Sequence, residues 1–119
     1  MAELIEKATR IPVPGGKIID EYVGRVNSGD AEVSVAHMIT PGGWTEPAQR
    51  PQFDEYTLVL RGMVRVETAG GVLDVPAGSA IVTRAGERIR YSAPLDDGAE
   101  YVAICRPAFA ADLAGRDDH

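Results

Sequence analysis

The sequence predicts an all-β protein, an antiparallel barrel or sandwich of short strands. Three observations carry this reading. Thirteen glycines and eight prolines punctuate 119 residues, giving a turn signal about every ten residues. Between the turns lie runs rich in β-branched and aromatic residues. Only the tail, "AADLAGRDD", reads as helix, and for about one turn. The length suits one domain with a real core. A composition of 45% hydrophobic and 25% charged residues is ordinary for a globular chain.

The strands follow in order. "KIIDEYVGRV" (17–26) is β-branched and aromatic, and "NSGD" closes it. "AEVSVAHMI" (31–39) alternates apolar with polar residues and ends at "PGG". After a loop over 44–52, "EYTLVL" (55–60) is a continuous apolar run, the pattern of a strand covered on both faces. An "RG" turn leads into "MVRVET" (63–68), and "AGG" leads into "GVLDV" (71–75). "SAIVT" (79–83), "RIRYS" (88–92) and "AEYVAICR" (99–106) complete the set. Short connections between successive strands imply antiparallel pairing. The expected organisation is an N-terminal segment over 1–16, the barrel over 17–107 and a tail over 108–119.

Charge narrows the partners. The net charge of −6 argues against nucleic acid and anionic membranes. Arginines gather at 84, 88 and 90, but acids at 87, 96 and 97 accompany them, as on a solvated face. Cys105, the single cysteine, sits in the apolar run "YVAIC" and reads as a buried, inert thiol. The polar start and the absence of a long apolar run predict no signal peptide and no membrane span. A reducing cytoplasm is the expected location.

One segment carries more than a strand rhythm. From Gly43 to Gly62 the chain places Gln49, Pro51 and Glu55 at spacings that resemble the first motif of the cupin superfamily. That motif is glycine, five residues, His-x-His, three or four residues, glutamate, six residues and glycine. Every spacing fits, and both histidines are replaced. From Gly78, a frame through Arg84, Gly86, Ile89 and Ala93 resembles the second motif, with isoleucine at its histidine. A second frame, from Gly70 through Pro76 and Gly78, puts Ile81 there. The resemblance covers roughly residues 17–107. It implies a cupin-type, jelly-roll-like antiparallel β-barrel of two sheets. It also implies a homodimer in which the N-terminal strand crosses to a partner. Among cupins, "DE…VL.G" without a histidine pair is similar to the ethanolamine-utilisation type, some of which are acetate-kinase-like and linked to bacterial microcompartments. No glycine-rich phosphate loop supports a kinase here.

The donor set speaks against a cupin metal. Such a site wants about three imidazoles and a carboxylate, and the chain has only His37 and His119. No cofactor is therefore expected. The set left for a loosely held divalent ion is His37, Gln49 and Glu55. Glu55 lies on an otherwise apolar strand at the position that faces the cupin interior. It is either a general acid/base with a raised pKa or a structural carboxylate bonded to a neighbour. Gln49 either orients a carbonyl or points to solvent. His37 is in phase with Val33, Val35 and Ile39, so it is either a satisfied core residue or a proton carrier in the cavity. Tyr91 shares a strand face with Ile89 and either binds an oxyanion or packs. Trp44, with Glu46 in the same loop, is a lid or stacking surface, or simply packs. Asp54 and Tyr56 should face away from the cavity.

These residues suggest a small polar molecule in the barrel. One reading is metal-independent proton transfer, of the isomerase, lyase or cyclase type, with Glu55, His37 and Tyr91 catalytic and Gln49, Trp44 and Glu46 binding. The others are a non-catalytic small-molecule module and a microcompartment-associated protein with a vestigial cavity.

Overall fold

A computed structural model describes residues 1–116 as nine strands and one 3-10 turn. The strands are β1 (Thr9–Ile11), β2 (Ile18–Val23), β3 (Ser34–Thr40), β4 (Trp44–Thr45), β5 (Asp54–Thr68), β6 (Gly71–Pro76), β7 (Ala80–Thr83), β8 (Arg90–Ala93) and β9 (Ala99–Arg106). All pairs are antiparallel. The order β1-β2-β3-β9-β5-β8-β4, with β6 and β7 also on β5, curls into a cupin-type barrel. The expected all-β class and jelly-roll-like architecture hold.

The main departure is at Gly62. The expected "RG" turn does not form, and β5 runs unbroken for fifteen residues. Its first half pairs with β9 and β7, its second with β6 and β8. A register shift between Val59 and Arg61 bends it. The bend also changes which parity faces inward, from Thr57 and Val59 to Val64 and Val66. Gly62 sits at φ 74°, and a Cβ there would lie 2.0 Å from the carbonyl oxygen of Gly98. Backbone contact, rather than chain reversal, is why this position is glycine.

β1 and β4 were not expected. Both are short, and pairing rather than pattern makes them strands. β1 pairs with β2 of its own chain, Thr9 opposite Glu21. The N-terminal segment thus belongs to the chain's own sheet. The tail forms its turn over Ala111–Leu113 and then runs beside the loop. The Gln52 amide donates to the Leu113 carbonyl at 2.8 Å, and the Arg50 amide to Gly115 at 2.9 Å. His119 lies outside the described residues.

Trp44, Val59, Val64, Val66, Ile89 and Tyr101 are among the core residues that fill one end of the barrel. Ile89, 1% exposed, packs there. The other end stays hollow.

The bend makes a paired prediction. Gly62→Ala should lose about 1–2 kcal/mol for the left-handed conformation and more for the contact with Gly98. Gly78, at φ 87° with nothing near its Cβ position, should lose only the conformational part on Gly78→Ala. Urea melts of both variants check this; equal losses would remove the close approach as the cause.

Candidate functional site

The hollow end is a cavity of about 350 Å³. Glu55 reaches it because β5 alternates, so Glu55, Thr57 and Val59 share the inner face. Asp54 and Tyr56 face outward, as expected: Asp54 accepts from the Ala85 amide at 2.9 Å, and Arg84 donates to the Tyr56 hydroxyl at 3.3 Å.

Two acids face the interior, Glu21 buried and Glu55 half-buried, and they have different surroundings. Glu21 accepts from the Val26 and Asn27 amides, both at 2.9 Å, and is held as a structural carboxylate. Glu55 has a long hydrogen bond from Thr57, at 3.4 Å. Burial, helped by the nearby charge of Glu46, pushes its carboxyl up to about 7, against the pull of Lys17. Near neutral pH it can therefore donate as well as accept a proton.

Lys17, Glu46 and Arg116 complete the charged wall. Lys17 stands over the Trp44 ring at 4.3 Å and over Tyr101 at 5.7 Å, in the range of a cation–π contact. Burial lowers its pKa, and Glu46 and Glu55 oppose that. Glu46 is raised by burial and held down by Lys17 and Arg116. The Arg116 guanidinium lies 4.0 Å from Glu46. Gln49 is buried, its amide 3.4 Å from the Glu46 carboxylate. Its backbone bridges Ile89 on one side and Arg116 on the other. Tyr91 also lines the cavity, and its hydroxyl shares a 2.9 Å hydrogen bond with Thr83. Burial raises that phenol. Cys105 is buried and raised likewise, which fits the inert thiol.

The structure thus brings together Glu55, Gln49, Glu46 and Tyr91. It does not bring in His37. That ring lies on the outer face of β3, 2.7 Å from Glu100 of β9. Ser34, Ala36 and Met38 are the β3 residues that line the cavity. The set His37, Gln49 and Glu55 is therefore not assembled, and His37 leaves the catalytic group. Trp44, 8% exposed and covered by Lys17, packs in the core and is no lid. Among the described residues no group of three or more His, Cys, Asp or Glu could hold a metal ion. The carboxylates of Glu46 and Glu55 and the Gln49 amide do not fit a three-imidazole centre. Lys17 and Arg116 were missed because their roles depend on the turn before β2 and on the tail folding back.

A larger concavity, an open groove of about 760 Å³, lies on the other side of the 45–48 segment. Arg88 and Arg90 stand on its wall, with Glu46 between groove and cavity. Arg90 donates to the Thr45 hydroxyl at 3.2 and 3.1 Å.

No protein-family model matches the chain. Among solved structures it resembles oxalate decarboxylase of Bacillus subtilis, with a TM-score of 0.78 at 18% identity over 94% of this chain and 31% of that one. A conserved Streptococcus pyogenes protein of unknown function gives a TM-score of 0.67 at 14% identity, covering 82% of this chain and 80% of that one. These likenesses show the fold: it is the cupin-type barrel. The Mn(II) centres described for the decarboxylase belong to that protein. A curated protein of Myxococcus xanthus, "Endoribonuclease YbeY", is 37% identical over 110 residues, 92% of this chain. The chain spans only 37% of that relative's length.

This relative corrects four expectations. It stands against the small-molecule isomerase, lyase or cyclase, against the non-catalytic small-molecule module, and against the ethanolamine-utilisation likeness. It also removes the exclusion of nucleic acid, because that protein's name places it among enzymes that cut RNA. Among the described residues, no helix is long and apolar enough to cross a membrane.

The raised carboxyl predicts a pH signature. A folded pKa near 7 against an unfolded value near 4.3 means the native state holds the extra proton between them. Stability contributed by neutral Glu55 is present below the unfolded pKa and is lost as pH rises through about 7. Glu55→Gln should flatten that fall, gaining on the order of 1–3 kcal/mol over the parent between pH 5 and pH 8. Urea melts at the two pH values measure it, and parallel pH profiles would refute it.

Proposed function

We propose that this chain handles RNA, as the barrel part of an endoribonuclease-type protein. The observation that carries this is the 37% identity, over 92% of the chain, to a protein named as an endoribonuclease. Because the chain spans 37% of that relative, the reading gives the barrel a substrate-holding role. Phosphodiester cleavage is assigned to the relative's remaining length.

The groove supports the reading. Guanidinium groups at Arg88 and Arg90 suit phosphate oxygens, and Thr45 and Thr68 on the same wall add hydroxyls. Glu55, Gln49, Glu46 and Tyr91 remain the candidate site residues. A neutral carboxyl beside an amide is the donor–acceptor pairing that reads the edge of an unstacked base.

Fluorescence anisotropy with a labelled single-stranded RNA tests the reading. Two phosphate contacts give a salt slope of about −1.4, or about sevenfold weaker binding from 50 to 200 mM salt. Arg88→Ala/Arg90→Ala should abolish most of that slope. The isolated chain should bind RNA and leave it uncut on a denaturing gel. No binding at low salt, or binding indifferent to both arginines, would overturn the proposal.

A further inference from the structure

One nucleophile in the cavity wall is not used by the RNA reading. Lys7 and Lys17 are the chain's only lysines. Lys7 is exposed on the N-terminal segment, and Lys17 is half-buried. Lys17 lines both the cavity and a side pocket of about 190 Å³. Its ammonium touches aromatic faces, Trp44 and Tyr101. Among the described residues, no hydrogen bond holds it and no carboxylate forms an ion pair with it. Arg10, Arg65 and Arg116, by contrast, each face a carboxylate.

We propose that Lys17 is a carbonyl-reactive amine that condenses with an aldehyde entering the cavity to form an imine. A lysine is a nucleophile only without its proton, and an apolar pocket or a neighbouring cation removes that proton most readily. Both are present. Ile19, Met38, Phe53 and Phe109 supply apolar wall, and Arg116 supplies the cation. Burial acts most strongly against the charged form and Arg116 acts with it, while Glu46, Glu55 and Cys105 act the other way. Aromatic faces hold the side chain in place but give the ammonium no carboxylate to bond. The step needs no co-reactant. The Nζ lone pair bonds to the carbonyl carbon, the C=O π pair moves to oxygen, and one nitrogen proton passes to that oxygen. The C–O bond of the carbinolamine then breaks. Its hydroxyl leaves as water with the second nitrogen proton, and the C=N bond forms. Glu55, on the wall of the same cavity, is the group that gives and takes these protons.

The site is defined by the carbonyl and not by what carries it. A free aldehyde is one source, and the ring-opened ribose of an RNA that has lost a base is the other. The second source would join the amine to the RNA reading, but the amine does not depend on that reading.

Reductive trapping with cyanoborohydride at pH 7 tests it. The full chain is offered glyceraldehyde in one arm and an RNA oligonucleotide with one abasic ribose in the other. Peptide mass spectrometry maps the adducts and counts the Met1 amine separately. With at least one carrier, Lys17 should be labelled at least tenfold faster than Lys7, and the carrier that labels it names the source. Lys17→Arg keeps the charge and cannot form the imine, so it should remove that adduct. Circular dichroism and melting confirm that the variant folds. Lys17 labelled no faster than Lys7 by either carrier would overturn the proposal. So would an undiminished cavity adduct in a folded Lys17→Arg variant. If that variant does not fold, the pH profile of labelling in the parent decides: its midpoint for Lys17 must lie below that for Lys7, and coincident midpoints refute the inference.

Discussion

The passage of β5 through Gly62 is the constraint on which the barrel depends. One strand serves both sheets only if it bends without breaking its ladders. The bend brings the Gly62 backbone against the carbonyl of Gly98, at a separation that leaves no room for a side chain. The register shift just before it changes which residues face inward. Glu55 therefore looks into the hollow end, while Val64 and Val66, beyond the bend, fill the packed end. Core and cavity are two consequences of one bent strand.

The cavity is defined by an uneven distribution of partners. Glu21 is fixed by two backbone amides, and Glu46 has Arg116 and Lys17 nearby. Glu55, half-buried and more weakly bonded, loses hydration without a matching partner, and its proton affinity rises. The same physics raises Tyr91 and lowers Lys17, each away from its charged form. A carboxyl pushed up to about 7 offers both a donor and an acceptor to whatever enters. Beyond Glu46, the open groove mixes both signs, with Arg88 and Arg90 on its wall and Glu67 3.8 Å from Arg90.

Much of the fold was legible because strand periodicity is local. β9 matches the run 99–106 to the residue, since its alternation and flanking turn signals agree. β1 and β4 were illegible because two- and three-residue strands have no period of their own and exist only by pairing. The "RG" at 61–62 was read as a turn because glycine is commonest in turns, while a close backbone approach leaves the same residue in the sequence. The spacing of Gly43, Gln49, Glu55 and Gly62 was enough to mark Glu55 as inward. His37 was ambiguous because strand parity does not carry across a loop, and only its pairing with Glu100 places it outside. Lys17 and Arg116 are ninety-nine positions apart in sequence (116 − 17) and meet Glu46 only after the tail folds back beside residues 49–52.

By itself, the sequence determined the all-β barrel, the inward acid on β5 and the loss of an imidazole metal site. These follow from alternation, turn residues and the scarcity of histidine, all of which are local or compositional. The tertiary structure decided the rest: which acid is left weakly bonded and which cations reach it. Those depend on distances between residues far apart in the chain. Such distances arise only when β5 bends at Gly62 and the sheet closes around it.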